Sequence, residues 1–74
     1  MMSDDEVRKI AETLITEDDS RFTYEFIGIN RRQRFPNELN VLFTPVSPEG
    51  ERFDGPVIVI VDEVSETARF FNNF

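Results

Sequence analysis

The strongest constraint on the fold is the run Val-Ile-Val-Ile-Val at positions 57–61. β-branched residues favour extended backbone, and an unbroken apolar run is typical of a strand whose two faces are both buried. Alternation sends the three valines to one face and Ile58 and Ile60 to the other. Because a chain of 74 residues has few elements with which to cover both faces, the run predicts the central strand of a small sheet.

The N-terminal residues predict one amphipathic helix. Ser3 and Glu6 have the spacing of a capping box, in which each side chain accepts a hydrogen bond from the backbone N–H of the other. Apolar residues then recur at the i, i+3, i+4, i+7 spacing of one helix face, namely Val7, Ile10, Ala11, Leu14 and Ile15. Acidic residues 17–19 and Ser20 oppose the helix dipole at a C-terminus, so we expect the helix to end there.

Three further stretches predict strands, at residues 21–30, 38–44 and 67–72. In the first of these, Gly28 indicates either a bulge or a close approach of another backbone. The connections are short and carry turn residues, and short connections favour antiparallel neighbours. We therefore predict a two-layer α+β fold, with the N-terminal helix packed on a four-stranded antiparallel meander sheet (αββββ), as a single domain over residues 1–74.

The residue types that are missing narrow the chemistry. The sequence contains neither histidine nor cysteine, which excludes a Ser-His-Asp triad, a thiolate nucleophile and an ordinary zinc site. Asp62 and Glu63 are adjacent on a strand and point to opposite faces, whereas a general acid and base must converge on one substrate. We expect a protein that is not an enzyme, with no catalytic residues, no cofactor and no metal.

The charge balance favours a protein partner. Fifteen acidic residues against eight basic residues give a net charge of −7, which repels nucleic-acid phosphates and membrane surfaces and attracts basic proteins. The first residues have neither the basic nor the apolar region of a secretory signal, and the apolar run 57–61 is too short to cross a bilayer. We therefore expect a cytoplasmic protein with no membrane partner.

One helix can cover only one face of the sheet, so the other face is a candidate protein-interaction surface. From alternation alone we expect it to carry Ile27, Ile29, Leu42, Ile58 and Ile60, with Phe71 beside them. Three interpretations stay open. Sheet twist and loops cover the face, or two copies of the chain pack there as a homodimer, or a different protein docks there.

Three arginines, Arg31, Arg32 and Arg34, form the one basic cluster of the sequence and are a candidate anion-binding site. Guanidinium groups beside Phe35 could hold a phosphate or stack on a base. A loop of charges is more often simply solvated, and the chain as a whole is acidic. We therefore expect nucleic-acid binding to be the least favoured of the binding functions.

With an N-terminal helix, a meander and the stretch at residues 55–62, followed by a closing strand at residues 65–71, the chain resembles small bacterial YrhB-like proteins associated with toxin immunity. The resemblance implies binding and neutralising another protein, and it implies no catalytic residue. The expected function is a non-enzymatic protein-interaction domain, of immunity or regulatory type, for a basic protein partner. A structural homodimer is the alternative.

Overall fold

The computed structural model describes residues 2–18, 22–53 and 55–71. It contains one helix, α1 (Asp4–Asp18), and four strands, β1 (Thr23–Arg31), β2 (Glu38–Val46), β3 (Val57–Asp62) and β4 (Thr67–Phe70). The strands lie in the order β1-β2-β3-β4 and each is antiparallel to its neighbour. α1 packs on one face of the sheet, chiefly against β2, β3 and β4. The predicted α+β arrangement of one helix on a four-stranded meander is confirmed.

The helix begins with the predicted capping box. The Ser3 hydroxyl accepts from the Glu6 N–H at 3.2 Å, and the Glu6 carboxylate accepts from the Ser3 N–H at 3.3 Å. The helix ends at Asp18, within the acidic run that predicts its end, and Asp19 and Ser20 lie outside the described residues. The cap therefore fixes where α1 begins.

The core lies between α1 and one face of the two central strands. Val7, Ala11 and Ile15 are the buried residues of the helix stripe. The sheet supplies the alternate residues of β2 and β3, namely Leu39, Val41, Phe43, Val59 and Val61. Of the three valines in the run at 57–61, two are fully buried and Val57 packs against them. The valines therefore face the helix, and Ile58 and Ile60 lie on the opposite face.

A bulge in β1 reverses the predicted orientation of Ile29. The register with β2 shifts between Phe26 and Gly28, as the glycine indicates. Ile29 consequently lies opposite Val41 and packs against the core beneath the helix. The prediction that Ile29 shares a face with Ile27 is therefore wrong, because one inserted residue changes the parity of every residue after it.

The strand ends differ from the predicted ones by one or two residues. β2 extends to Val46 and includes Pro45, whose carbonyl accepts from the Phe53 N–H. A single bridge joins Val46 to Arg52, after which the chain leaves the ladder and re-enters it at Val57. β4 ends at Phe70. Arg21 and Asn72, at the predicted outer ends of the first and last strands, lie outside the described residues.

Candidate protein-interaction surfaces

The face of the sheet opposite α1, called the open face here, carries an apolar row that crosses the strands. Leu42 of β2 lies directly opposite Ile58 of β3, and both are partly buried. The Phe71 N–H donates to the Ile58 carbonyl and extends the row beyond the end of β4. Ile27, the extra residue of the β1 bulge, is 54% exposed, and Phe71 is 39% exposed. These four residues are called the apolar row.

Ile60 belongs to the open face but is not accessible there. Its cross-strand neighbours are Asn40 and Arg69, and it is only 3% exposed. On the same face, the guanidinium of Arg32 lies 5.8 Å from the centre of the Phe71 ring. Ile60 therefore contributes to the interior of the domain, which corrects the expectation that it forms part of an exposed contact surface.

One end of the open face carries four charges that compensate one another. Glu38 accepts from Arg32 at 2.8 Å and from Arg69 at 3.1 Å. Asp62 is the cross-strand neighbour of Glu38, so two carboxylates lie near two guanidinium groups. The Arg32 guanidinium also stacks on Phe35, 4.5 Å from its ring centre. Like charges directly opposite destabilise a sheet, and the two arginines offset that repulsion.

The other end of the open face carries one bidentate ion pair. Arg52 donates from Nε and from Nη2 to the two carboxylate oxygens of Glu25, the second bond measuring 3.1 Å. The hydrogen bond from Arg52 is the main reason that the pKa of Glu25 lies below its ordinary value. With this pair included, the charges at the two ends of the open face sum to zero.

The arginine loop is largely used by the chain itself. Arg31 forms an ion pair with Glu63 at 2.7 Å and donates to the Pro36 carbonyl at 2.6 Å, and Arg32 is held by Glu38. Within the described ranges, Arg34 forms no ion pair. The predicted anion-binding role of Arg31, Arg32 and Arg34 stays a prediction, and two of its three cations already have carboxylate partners.

Asp62 and Glu63 have separate structural roles. The Asp62 carboxylate accepts from the backbone N–H groups of Val64 at 2.8 Å and Ser65 at 3.1 Å. The bond from Ser65, and after it the bond from Val64, holds the pKa of Asp62 below its ordinary value. The Glu63 carboxylate pairs with Arg31 and accepts from the Met2 N–H at 3.4 Å. Its Oε1 contact with Arg31 is an ion pair without hydrogen-bond geometry. Each carboxylate therefore holds the chain together at a different place.

The sequence of α1 carries most of the net negative charge of the chain. The segment Asp4–Asp18 has six acidic residues against Arg8 and Lys9, a balance of −4 out of the net −7 of the chain. The Arg8 guanidinium is bound by Glu12 and lies 4.5 Å above the Phe26 ring. This region, called the acidic helix surface, lies on the opposite side of the sheet from the apolar row.

A groove runs beside the acidic helix surface because α1 sits over β2, β3 and β4 and leaves the inner side of β1 partly uncovered. One part, about 350 Å³ in volume, has Phe22 and Tyr24 on the sheet side and Glu12 and Thr16 on the helix side. A second part continues past Asp4, Asp5, Phe26 and Ile29. This α1–β1 groove combines an apolar floor with an acidic rim.

Sequence reasoning did not find this groove, because the lateral position of a helix across a sheet is not encoded in periodicity. The concentration of charge on the helix is visible in the sequence and could have directed attention to it. Among the described residues, no group of carboxylates is arranged to hold a metal ion, and α1 lacks the length and apolar character of a membrane-spanning helix. No protein-family model, curated protein or solved structure matches the chain.

Proposed function

We propose that the chain is a non-enzymatic protein-interaction domain, of immunity or regulatory type, that binds a basic protein partner through the acidic helix surface and the α1–β1 groove. The observation that carries the proposal is the charge of −4 on α1 directly beside the apolar floor formed by Phe22, Tyr24 and Phe26. Charge complementarity accelerates encounter with a basic partner, and burial of apolar side chains slows its release.

Two carboxylates at the start of α1 are well placed for this role. Asp4 and Asp5 line the groove, and neither forms an ion pair within the described ranges. Arg8, which lines the groove, is already bound by Glu12. A lysine or arginine of a partner would therefore meet unneutralised carboxylates there.

The composition and the resemblance support the same function. A sequence without histidine or cysteine has few groups for general acid–base or nucleophilic catalysis. The resemblance to YrhB-like proteins favours a partner that is neutralised on binding, such as a basic nuclease. Nucleic-acid binding through the arginine loop is less favoured, because Arg31 and Arg32 are held by Glu63 and Glu38.

The experiment is a quantitative affinity capture from the source cell with three baits. The first bait is the wild-type chain, and the second is Asp4→Asn/Asp5→Asn, which removes two charges from the groove. The third is Glu49→Gln/Glu51→Gln, which removes two charges from the exposed segment after β2. We expect one basic protein to be captured by the wild type and the third bait and to be depleted at least about tenfold with the second.

The captured protein is then purified and titrated against the three chains at low and high salt. A loss of affinity with rising salt that is smaller for Asp4→Asn/Asp5→Asn supports charge complementarity at α1. Circular dichroism checks that the two helix substitutions, which lie between the two residues of the capping box, leave the fold intact. Equal capture by all three baits, or capture only of proteins without a basic surface, would contradict the proposal.

A further inference from the structure

We propose that the basic partner enters the α1–β1 groove with an extended segment, which pairs with β1 as a fifth strand of the sheet. This inference rests on the proposed function, since it states how a partner of that charge is held in the same groove. It follows from the open edge of β1 together with the acidic residues beside that edge.

β1 is an edge strand of nine residues, and in the part of the chain that the structure describes β2 is the one strand paired with it. α1 packs chiefly on β2, β3 and β4 and leaves β1 at the side. The other edge strand, β4, has only four residues and lies against the helix. An added strand therefore finds the longer edge at β1.

The backbone of β2 bonds alternately to its two sides. The Glu38 carbonyl accepts from the Arg32 N–H on the β1 side, and the Pro45 carbonyl accepts from the Phe53 N–H on the other side. Because hydrogen-bonded and non-hydrogen-bonded pairs alternate along an antiparallel ladder, the even-numbered residues of β2 bond to β1 and the odd-numbered residues do not.

Phe26 and Ile29 consequently direct their backbone groups toward the outer edge of β1. They lie opposite the odd-numbered residues Phe43 and Val41, and the members of such pairs exchange no hydrogen bonds. Within the described ranges, the N–H and carbonyl of Phe26 and Ile29 form no other backbone bond. A strand added at this edge would satisfy them.

The acidic rim of the groove selects a basic segment. Side chains on the inner face of an added strand would stand beside α1, where Asp4 and Asp5 line the groove next to Phe26 and form no ion pair in the described part of the chain. Lysine or arginine at every second residue would meet these carboxylates. A second copy of the chain fits less well, because its own β1 would bring the same acidic rim and the same bulge.

The first test is amide hydrogen exchange of the free chain, measured by NMR. The amides of Phe26 and Ile29 should exchange at least about tenfold faster than those of Glu25 and Asn30, which lie opposite even-numbered residues of β2. Equal protection of the four amides would show that the edge is already covered and would overturn the proposal.

The second test adds a synthetic peptide of nine residues, the length of β1, in which lysine and threonine alternate. Two matched peptides carry N-methyl groups on the lysines or on an equal number of threonines, so each loses N–H donors along one edge and keeps its charge. In NMR titrations to about 1 mM, the unmodified peptide should slow exchange at Phe26 and Ile29. One methylated peptide should bind at least about tenfold more weakly than the other, the lysine-methylated one if the added strand is antiparallel.

The same titrations with Asp4→Asn/Asp5→Asn separate the two proposals. Equal binding of the two methylated peptides would overturn strand addition, and the proposed function would stand if the double substitution still weakened the unmodified peptide. Equal affinity of wild type and double variant for the unmodified peptide would count against the proposed function, whereas a difference between the methylated peptides would still support pairing at β1. No binding of the unmodified peptide at about 1 mM would contradict both.

Discussion

The guanidinium of Arg31 lies 2.7 Å from the carboxylate of Glu63 and so joins the end of β1 to the turn between β3 and β4. The Glu63 side chain is only 9% exposed, whereas that of Arg31 is 46% exposed. Glu63 also accepts from the Met2 N–H, next to the start of α1. One largely buried carboxylate therefore ties together both layers of the fold.

Truncation of Arg31 should lower the free energy of unfolding more than truncation of Arg34, which lies in the loop that follows. In Arg31→Ala the Glu63 carboxylate keeps its buried position and loses its cation, so we expect the free energy of unfolding to fall by about 1–3 kcal/mol. Arg34→Ala, from the same loop, should change it by no more than about 0.5 kcal/mol. Urea denaturation measures both. Equal effects of the two substitutions would show that the contact contributes nothing specific.

Glu66 stands at the one described non-glycine position with positive φ, 57°. A residue with a Cβ in this left-handed conformation costs about 1–2 kcal/mol, and glycine relieves that cost while losing about 0.5–1 kcal/mol of chain entropy on folding. Glu66→Gly should therefore raise the free energy of unfolding by up to about 1 kcal/mol, measured as an increase in Tm by calorimetry.

Ser65→Gly is the matched control for the same turn. Ser65 has no positive φ, and its hydroxyl bonds to that of Thr67 at 2.7 Å. Glycine at position 65 should therefore lower Tm, since it raises the conformational entropy of the unfolded chain and removes a hydrogen bond of the folded state. If both glycine variants lowered Tm, the left-handed conformation would not be the source of strain in this turn.

Two carboxylates should make stability fall in acid. The pKa of Asp62 is lowered by hydrogen bonds from the backbone of Ser65 and Val64, and that of Glu25 is lowered by Arg52. When the pKa of a carboxyl group is lower in the folded state than in the unfolded state, the group stabilises the protein at pH values above the unfolded pKa, which is about 4 for these groups. This contribution is lost as the pH falls through the lower, folded-state pKa. Tm should therefore be steady near neutral pH and decrease below about pH 4.

Asp62→Asn tests this assignment directly. An asparagine oxygen can still accept from the turn backbone but does not titrate in this range, so the decrease of Tm between about pH 5 and pH 2 should be shallower than in the wild type. Glu49→Gln, which removes one carboxylate from the exposed turn after β2, controls for the change in net charge. An unchanged slope in Asp62→Asn would contradict the role of this turn.

The bulge predicts unequal effects of truncating two isoleucines that are two positions apart. Ile29 packs against the core opposite Val41, and Ile27 is exposed. Ile29→Ala should lower the free energy of unfolding by about 2 kcal/mol, the low end of the range for buried isoleucine, and Ile27→Ala by less than about 0.5 kcal/mol. Urea denaturation at low protein concentration makes the comparison. The reverse order would place the bulge elsewhere.

The elements of the fold could be predicted because their signals are local. The capping box of Ser3 and Glu6 and the apolar run at 57–61 each depend on only a few consecutive residues. The face of Ile29 could not be predicted, because Gly28 permits a bulge without stating whether one residue is inserted. The inclusion of Pro45 in β2 follows from its pairing with Tyr24 of β1, which the propensity of proline does not predict.

The candidate surfaces could be predicted only in part. Alternation places Leu42 and Ile58 on the open face, and the structure agrees. The burial of Ile60 depends on its place in the assembled sheet, between Asn40 and Arg69. Such long-range contacts leave no periodic trace in the sequence, and neither does the displacement of α1 toward β4 that opens the groove beside β1.

The placement of the helix on one face of the sheet has a consequence for the electric field around the molecule. α1 carries a balance of −4 on one side of the sheet, and the charges at the two ends of the opposite face sum to zero. A basic molecule would therefore be drawn toward the helix side before it makes contact. Salt would weaken this orienting effect by screening the field.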